Sequence, residues 1–168
     1  MNSYFSQLFL TSSFDGCIKL WNMKVSFKIY ARIMMFNTFV IKDSAYPIHT
    51  FECNGDYVYD VQWSPTHPAL FACVDGGGKL DIWNLNSDFE LPSATFELDN
   101  RTRALNRIKW SKSGQEIAVG DDHGQITLFE LNDNFARPTL DDSQTFMNTI
   151  NTLKQISYDS IKVDKGFL

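Results

Sequence analysis

Hydrophobic and polar residues alternate with a period of two in several short segments of this chain. Three of these segments begin at a glycine and end on an aromatic side chain. Such alternation is typical of a half-buried β-strand, and the glycine supplies the positive φ that a tight hairpin turn requires. The glycine stands five positions before the aromatic residue in each copy: Gly16 and Trp21, Gly78 and Trp83, Gly124 and Phe129.

A second repeated signature precedes the last two of these hairpins. It is an alternating strand that ends in Trp-Ser, at Trp63 and Trp110, followed by a turn and another apolar strand. Trp63 and Trp110 are 47 positions apart, and Trp83 and Phe129 are 46 positions apart. Two independent landmarks therefore report one period, which is that of a four-stranded β-propeller blade.

The combined pattern resembles the WD repeat: a strand ending in Trp-Ser-Pro, a buried strand, an Asp-Gly turn, and an alternating strand ending in Trp-Asn. The likeness covers residues 8–131 apart from one interruption. It implies an all-β fold, a partial WD-repeat β-propeller of about two and a half antiparallel four-stranded blades. Only Asp15 stands six residues before its tryptophan, where the family's hydrogen-bond network lies. We expect the blades to pack regardless, because packing depends mainly on apolar alternation.

An apolar stretch without alternation interrupts the repeats. Trp21 and Trp83 are 62 positions apart, and the excess over one period falls on residues 25–42. We interpret 25–42 as an insertion. The codons for residues 24–27 can contain the start of a spliceosomal intron, so translated intron sequence is our first hypothesis. A genuine loop is the alternative, although loops are seldom this apolar. Lys28 and Arg32 interrupt the stretch, which argues against membrane insertion.

The chain therefore divides into five parts. They are the end of a blade (1–24), the insertion (25–42), a complete blade (43–98), the last blade (99–138), and a C-terminal helix and tail (139–168). In the tail, Phe146, Ile150 and Leu153 recur at helical spacing, which predicts a helix over about 141–156. We expect its apolar stripe to pack on the last blade, with docking on a partner as the alternative.

Composition and charge exclude several classes of function. The net charge of −5 gives no basic face for nucleic acid. Cys17, Cys53 and Cys73 match neither a disulfide framework nor a zinc motif, and we interpret them as reduced, buried residues of a cytosolic protein. The N-terminus carries neither the basic segment nor the cleavage site of a secretory signal.

No residue pattern predicts catalysis, a cofactor or a metal site. The three histidines lack the spacing of zinc ligands: His49, His67 and His123. The glycine-rich segment 75–79 lacks P-loop spacing and precedes a strand, so it predicts a hairpin turn. Asp121 and Asp122, beside Gly124, are likewise predicted to be turn residues.

One longer run carries a more specific resemblance. Residues 56–76, 80–86 and 104–107 are similar to dynein intermediate chains. That resemblance implies a non-catalytic scaffold subunit of the cytoplasmic dynein motor, whose propeller docks on the dynein heavy chain for microtubule-based transport. It further implies contact with other dynein subunits in the complex and a cytoplasmic location on microtubules. An axonemal dynein stays open as an alternative.

Candidate partner contacts are Tyr57, Tyr59 and Arg107, which we expect to be exposed. We predict structural roles for all of the repeat positions, which are Asp15, Gly16, Trp21, Trp63, Gly78, Trp83, Trp110, Gly124 and Phe129. Trp21, Trp83 and Phe129 are included because aromatic residues that end strands at the blade period pack between blades. Neither nucleic acid nor membrane is an expected partner. The alternative function is a substrate-recognition WD-repeat propeller of another assembly, such as a ubiquitin ligase.

Overall fold

The computed structural model describes residues 1–22, 25–26, 40–41, 46–52, 56–98 and 103–165. The strands are β1 (Leu8–Ser12), β2 (Cys17–Asn22), β3 (Val25–Ser26), β4 (Val40–Ile41), β5 (His49–Glu52), β6 (Val58–Trp63), β7 (Leu70–Asp75), β8 (Lys79–Asn84), β9 (Ala94–Glu97), β10 (Leu105–Trp110), β11 (Glu116–Asp121) and β12 (Ile126–Glu130). The helices are α1 (Asp133–Ala136) and α2 (Asp142–Lys165).

The longer strands form three antiparallel sheets. The first sheet has the order β1-β2-β5, the second β6-β7-β8-β9 and the third β10-β11-β12. β3 and β4 pair with each other as a separate two-stranded ladder. Each of the three predicted hairpin arms forms the strand that follows its turn glycine: β2, β8 and β12.

The three hairpin turns share one conformation. Gly16, Gly78 and Gly124 have φ angles of 77°, 84° and 80°. Each glycine N–H donates to the carbonyl three residues earlier, at 3.3 to 3.5 Å. The positive φ predicted for these positions is confirmed. Residues with a Cβ atom rarely adopt it, so the glycine determines where each turn forms, and the turn sets the register of its hairpin.

β5 belongs to the first sheet and not to the blade that follows it. Ile18 of β2 faces Phe51 of β5 in an antiparallel ladder that continues to Leu20 and His49. The prediction that residues 43–98 form one blade is therefore corrected, because β5 lies within that range but belongs to the preceding sheet. The boundary of the sequence repeat and the boundary of the sheet differ by this one strand. β2 pairs with β5 although the predicted insertion, residues 25–42, lies between them along the chain. Beyond β3 and β4, residues 25–42 lie outside the described part of the chain.

The core consists of two interfaces between successive sheets. The first includes these buried residues of the first and second sheets: Leu8, Ile18, Leu20, Phe51, Trp63, Phe71, Cys73 and Trp83. The second includes these buried residues of the second and third sheets: Ala72, Val74, Leu80, Ile82, Leu105, Ile108, Trp110, Ile117 and Val119. Cys73 is buried as expected, whereas Cys17 is half-buried and Cys53 lies outside the described residues.

α2 packs on the first two sheets. It is longer than the predicted 141–156, and Phe146, Ile150 and Leu153 are buried as one stripe in the interface between those sheets. The Phe146 ring is 5.4 Å from Phe5 and 5.9 Å from Trp63, centroid to centroid. The expectation that this stripe packs on the last blade is therefore wrong, because its apolar partners lie on the earlier sheets. Within the described chain, neither helix has the length and apolar character to cross a bilayer.

Candidate partner-binding surface

Three aromatic side chains form an exposed patch at one end of the first and second sheets. Phe14 lies in the β1–β2 turn, Tyr57 precedes β6 and Tyr59 lies within it. The Phe14 ring is 5.3 Å from Tyr57 and 5.9 Å from Tyr59, and both contacts are edge-to-face. Phe14 is 68% exposed, Tyr57 50% and Tyr59 36%. Aromatic rings clustered at the surface are typical of protein–protein interfaces. We call these three residues the aromatic patch.

Backbone contacts hold the aromatic patch in place. The N–H of Val58 donates to the carbonyl of Ser13 at 3.3 Å, which joins the start of β6 to the β1–β2 turn. The N–H of Gly76 donates to the carbonyl of Tyr57 at 2.9 Å. A Cβ atom on Gly76 would lie 3.1 Å from the ring of Tyr59. Glycine therefore lets that ring lie directly against the β7–β8 turn.

The third predicted contact residue lies on the neighbouring sheet. Nη1 of Arg107 is 3.9 Å from Oδ2 of Asp60, and 80% of the Arg107 side chain is exposed. The same Asp60 oxygen accepts a hydrogen bond from the N–H of Ile108 at 3.1 Å, which joins β6 to β10. The Asp60 side chain is only 13% exposed, but the 3.9 Å separation and the exposure of the arginine make this a weak ion pair. Arg107 can therefore leave Asp60 at little cost to pair with an acidic group of a partner.

The two ends of β6 have different surroundings. Trp63, its last residue, contacts Phe146 of α2. Tyr57 and Tyr59 lie at its beginning, and their contacts are with Phe14. α2 thus covers one end of the first two sheets, and the aromatic patch lies at the opposite end.

Three of the predicted structural tryptophans lie in the core. The Trp63 and Trp83 rings are 5.5 and 5.8 Å from the ring of Phe71, and Trp83 stacks parallel to it. The Trp110 indole N–H donates to the carbonyl of Gln62 at 3.2 Å, which joins the third sheet to the second. The indole N–H groups of Trp63 and Trp83 have no hydrogen-bond partner within the described chain, so packing holds these rings.

The remaining predicted structural positions are more exposed. Trp21 is half-buried and its indole N–H donates to the hydroxyl of Thr11 at 3.0 Å. Asp15 accepts a hydrogen bond from Lys19 Nζ at 3.0 Å, and this contact lowers the pKa of the carboxyl group. Phe129 is half-buried on the third sheet. The repeat pattern places Asp15 and Trp21 in one hydrogen-bond network, but here the side chain of Asp15 bonds to Lys19 and that of Trp21 to Thr11.

Three groups with potential metal ligands meet at the β11–β12 turn. They are Asp121, Asp122 and His123. Asp121 accepts hydrogen bonds from the N–H groups of His123 at 3.0 Å and Gln125 at 2.8 Å, and the Asp122 carboxylate is 2.8 Å from Nδ1 of His123. Burial acts to raise the pKa of Asp121, but these N–H groups and Arg103 outweigh it and the pKa is lowered. The contacts are those of turn residues, as predicted for the two aspartates.

Two other histidines have structural positions. Nδ1 of His67 is 3.2 Å from the N–H of Ala69 and accepts its hydrogen bond, and Nε2 is 3.5 Å from Oδ2 of Asp142. Desolvation lowers the pKa of His67, and the Asp142 charge opposes this only in part. Desolvation also lowers the pKa of His49, whose Nε2 is 3.2 Å from the carbonyl of Phe89. His67 therefore joins the β6–β7 turn to the start of α2.

Sequence reasoning missed two residues of this surface, Phe14 and Asp60. Phe14 stands two residues before the turn glycine, where the other hairpins carry Gly76 and Asp122. A large apolar residue at that turn position was the available signal. Asp60 gave no signal, because the backbone group it binds, that of Ile108, is 48 positions away in the chain.

Comparison with known proteins assigns the fold. The WD domain, G-beta repeat family matches residues 2–22 and 45–84. The crystal structure of the WD40 domain from Toxoplasma gondii coronin matches with a TM-score of 0.60 over 78% of this chain and 30% of that chain. This chain has the fold of a partial WD40 β-propeller. At 15% identity the coronin likeness shows the fold alone, and the predicted fold class is confirmed.

A sequence relative adds a more specific likeness to the WD40 repeats. Cytoplasmic dynein 1 intermediate chain of Drosophila melanogaster is 40% identical to this chain over 157 residues, which are 94% of the chain. The chain spans 21% of the length of that relative. The resemblance to dynein intermediate chains, first drawn from a few motifs, is thereby confirmed over nearly the whole sequence.

Proposed function

We propose that this chain is a non-catalytic scaffold subunit of a cytoplasmic dynein motor and that its propeller docks on the dynein heavy chain for microtubule-based transport. The 40% identity to a cytoplasmic dynein intermediate chain over 94% of the chain supports this proposal. In this role the protein is cytoplasmic, lies on microtubules and shares its complex with other dynein subunits. A propeller suits a scaffold because rigid sheets hold its surface turns in fixed positions.

The docking contact proposed here is the aromatic patch together with Arg107. Tyrosine and arginine are over-represented among the residues that dominate binding energy at interfaces. The two tyrosines are already ordered by Phe14, so little side-chain entropy is lost when a partner covers them. Arg107, beside Asp60, adds a positive charge that favours an acidic group on the partner.

Affinity purification of the full chain tests the function. The tagged protein is expressed in cells of its source organism, and co-purifying proteins are identified by mass spectrometry. We expect dynein heavy chain and other dynein subunits in the purified complex. Recovery of cullin adaptors without heavy chain would contradict the dynein assignment and favour the ubiquitin-ligase alternative.

Substitutions in the patch test the docking surface separately. Tyr57→Ala and Tyr59→Ala each remove a ring that is at least one-third exposed, so the fold is retained. We expect heavy-chain recovery to fall about tenfold or more, as for a residue that dominates binding. Tyr158→Ala is the matched control, because Tyr158 is 57% exposed on α2, away from the patch. Unchanged recovery with both patch variants would refute the docking surface while leaving the dynein assignment standing.

A further inference from the structure

The aromatic patch lies at the junction of two neighbouring sheets. Phe14 belongs to the hairpin turn of the first sheet, and Tyr57 and Tyr59 belong to the start of the second. The hydrogen bond from the Val58 N–H to the carbonyl of Ser13 joins the two sheets directly behind the rings. The shape of the patch is therefore set by contacts between sheets that the structure contains.

The rings of the patch are arranged at steep angles to one another. The ring of Tyr57 is inclined at 72° and that of Tyr59 at 88° to the plane of Phe14. Stacked rings cover each other's faces, as Phe71 and Trp83 do in the core at an interplanar angle of 4°. Rings at steep angles leave faces uncovered, and a ring face carries the negative part of the aromatic quadrupole. A cation on such a face, within about 6 Å of the ring centroid, is attracted to it.

A carboxylate group lies beside these rings. A Cβ atom on Gly76 would be 3.1 Å from Cε2 of Tyr59 and 3.2 Å from Cγ of Asp56, so the ring and the carboxylate adjoin the same point of the β7–β8 turn. The N–H of Tyr57 donates to Oδ1 of Asp56 at 2.7 Å, which holds the carboxylate next to the patch. Burial raises the pKa of Asp75, and the negative charge of Asp56 adds to this rise. A second carboxyl group therefore lies close behind the first.

The lysines of the two adjoining hairpins are already paired with other carboxylates. Nζ of Lys19 is 3.0 Å from Oδ2 of Asp15, and Nζ of Lys79 is 3.2 Å from Oε1 of Glu97. Asp56 is exposed, and among the described residues it forms no ion pair. Both lysine charges are therefore balanced locally, whereas the negative charge of Asp56 is left for a positively charged group of a partner.

We propose that the aromatic patch, together with Asp56, receives a lysine or arginine side chain of the docking partner. The cationic group lies on the ring faces, and Asp56 supplies the counter-charge. The partner segment then carries a basic residue for the patch and an acidic group for Arg107, whose own charge faces Asp60. This inference deepens the docking surface proposed above and rests on it for the identity of the partner, but the preference for a cation is measurable without that partner.

NMR titration of the purified full chain with small probes tests the preference for a cation. The cationic probes are the N-acetyl methylamides of lysine and arginine. Their neutral counterparts are the same derivatives of norleucine and citrulline, which have nearly the same shape without the charge. We expect the cationic probes to shift the ring signals of Tyr57 and Tyr59 and to bind about two- to fivefold more tightly than the neutral ones. Equal or tighter binding of the neutral probes, or no shift with any probe, would overturn the inference.

Substitutions at Tyr57 separate a contact between cation and ring from a general apolar contact. Tyr57→Phe keeps the ring face, whereas Tyr57→Leu keeps apolar bulk without it, and the side chain is 50% exposed, so both variants retain the fold. We expect Tyr57→Leu to bind the cationic probes about two- to fivefold more weakly and Tyr57→Phe to stay within about twofold of the parent. Tyr158→Leu is the matched control, because Tyr158 is 57% exposed on α2. Equal affinities of the two Tyr57 variants would refute the contact with the ring.

Asp56→Asn tests the counter-charge, because it removes the negative charge and keeps an acceptor for the Tyr57 N–H. We expect the affinity for the cationic probes to fall about two- to fivefold and to depend less on salt than in the parent chain. Asp159→Asn, at an exposed aspartate of α2, is the matched control and should leave the affinity unchanged. An affinity that Asp56→Asn leaves unaltered would refute the role of this carboxylate.

Recovery of heavy chain from cells separates this inference from the proposed docking. If the cationic probes bind while Tyr57→Ala leaves heavy-chain recovery unchanged, the docking surface is refuted and the cation site stands. If Tyr57→Ala lowers heavy-chain recovery while Tyr57→Leu and Tyr57→Phe both retain it, the docking surface stands and the cation site is refuted.

Discussion

The contact between α2 and the sheets can be tested through Phe146. This side chain is 0% exposed and its ring lies within 6 Å of the centroids of Phe5 and Trp63. Phe146→Ala removes the buried ring and leaves a cavity between helix and sheets. Such a change costs about 3–5 kcal/mol in a packed core. Because domains are stable by about 5–15 kcal/mol in total, the loss is a substantial fraction of the free energy of unfolding.

Urea denaturation and thermal melting of the full chain, both followed by circular dichroism, measure this effect. For a chain of this length, each kcal/mol shifts the melting temperature by about 2–4 °C, so the variant should melt about 6–20 °C lower. The matched control is Met147→Ala, one position along the same helix but 37% exposed, which should cost about 1 kcal/mol or less. If Phe146→Ala were no more destabilising than the control, α2 would not be docked on the first two sheets as described.

Two further predictions concern turn strain and pH. Gly124→Ala should destabilise the protein by about 1–2 kcal/mol, because Gly124 has a φ of 80° and no atom lies within 4 Å of the added Cβ, so backbone strain is the only cost. Gly120→Ala is the control: its added Cβ is equally unobstructed but its φ is not positive, so it should be neutral or slightly stabilising. Equal urea midpoints for the two variants would contradict the strain. Desolvation lowers the folded-state pKa of both His49 and His67 from the ordinary 6.5. Below pH 6.5 the unfolded chain therefore binds more protons than the folded chain. The contribution of these histidines to the free energy of unfolding is complete above pH 6.5 and decreases as the pH drops below it. The urea midpoint should follow this trend between neutral and mildly acidic pH in the parent chain and flatten in the His49→Gln/His67→Gln double variant, and a parent midpoint that rose on acidification would refute the reasoning.

The repeat and its strands follow from local sequence. Glycine at 16, 78 and 124 adopts positive φ because it lacks a Cβ atom, and the alternating residues after it form a strand with one buried face. These properties belong to a few neighbouring residues, so the pattern predicts them without knowledge of the rest of the chain. The same holds for α2, whose helical spacing gave its existence and its buried stripe although it underestimated the length.

Only the tertiary structure decided which of these elements meet. β5 pairs with β2 across the predicted insertion, and the stripe of α2 packs on the first two sheets, because complementary apolar surfaces and open strand edges select partners by position in space. The aromatic patch has the same origin: Phe14 and Tyr57 are 43 positions apart in sequence, yet a 3.3 Å backbone hydrogen bond between Val58 and Ser13 brings their rings together. Local sequence thus determined the individual strands and hairpins, and contacts between distant segments determined how they group into sheets and which surfaces they offer to partners.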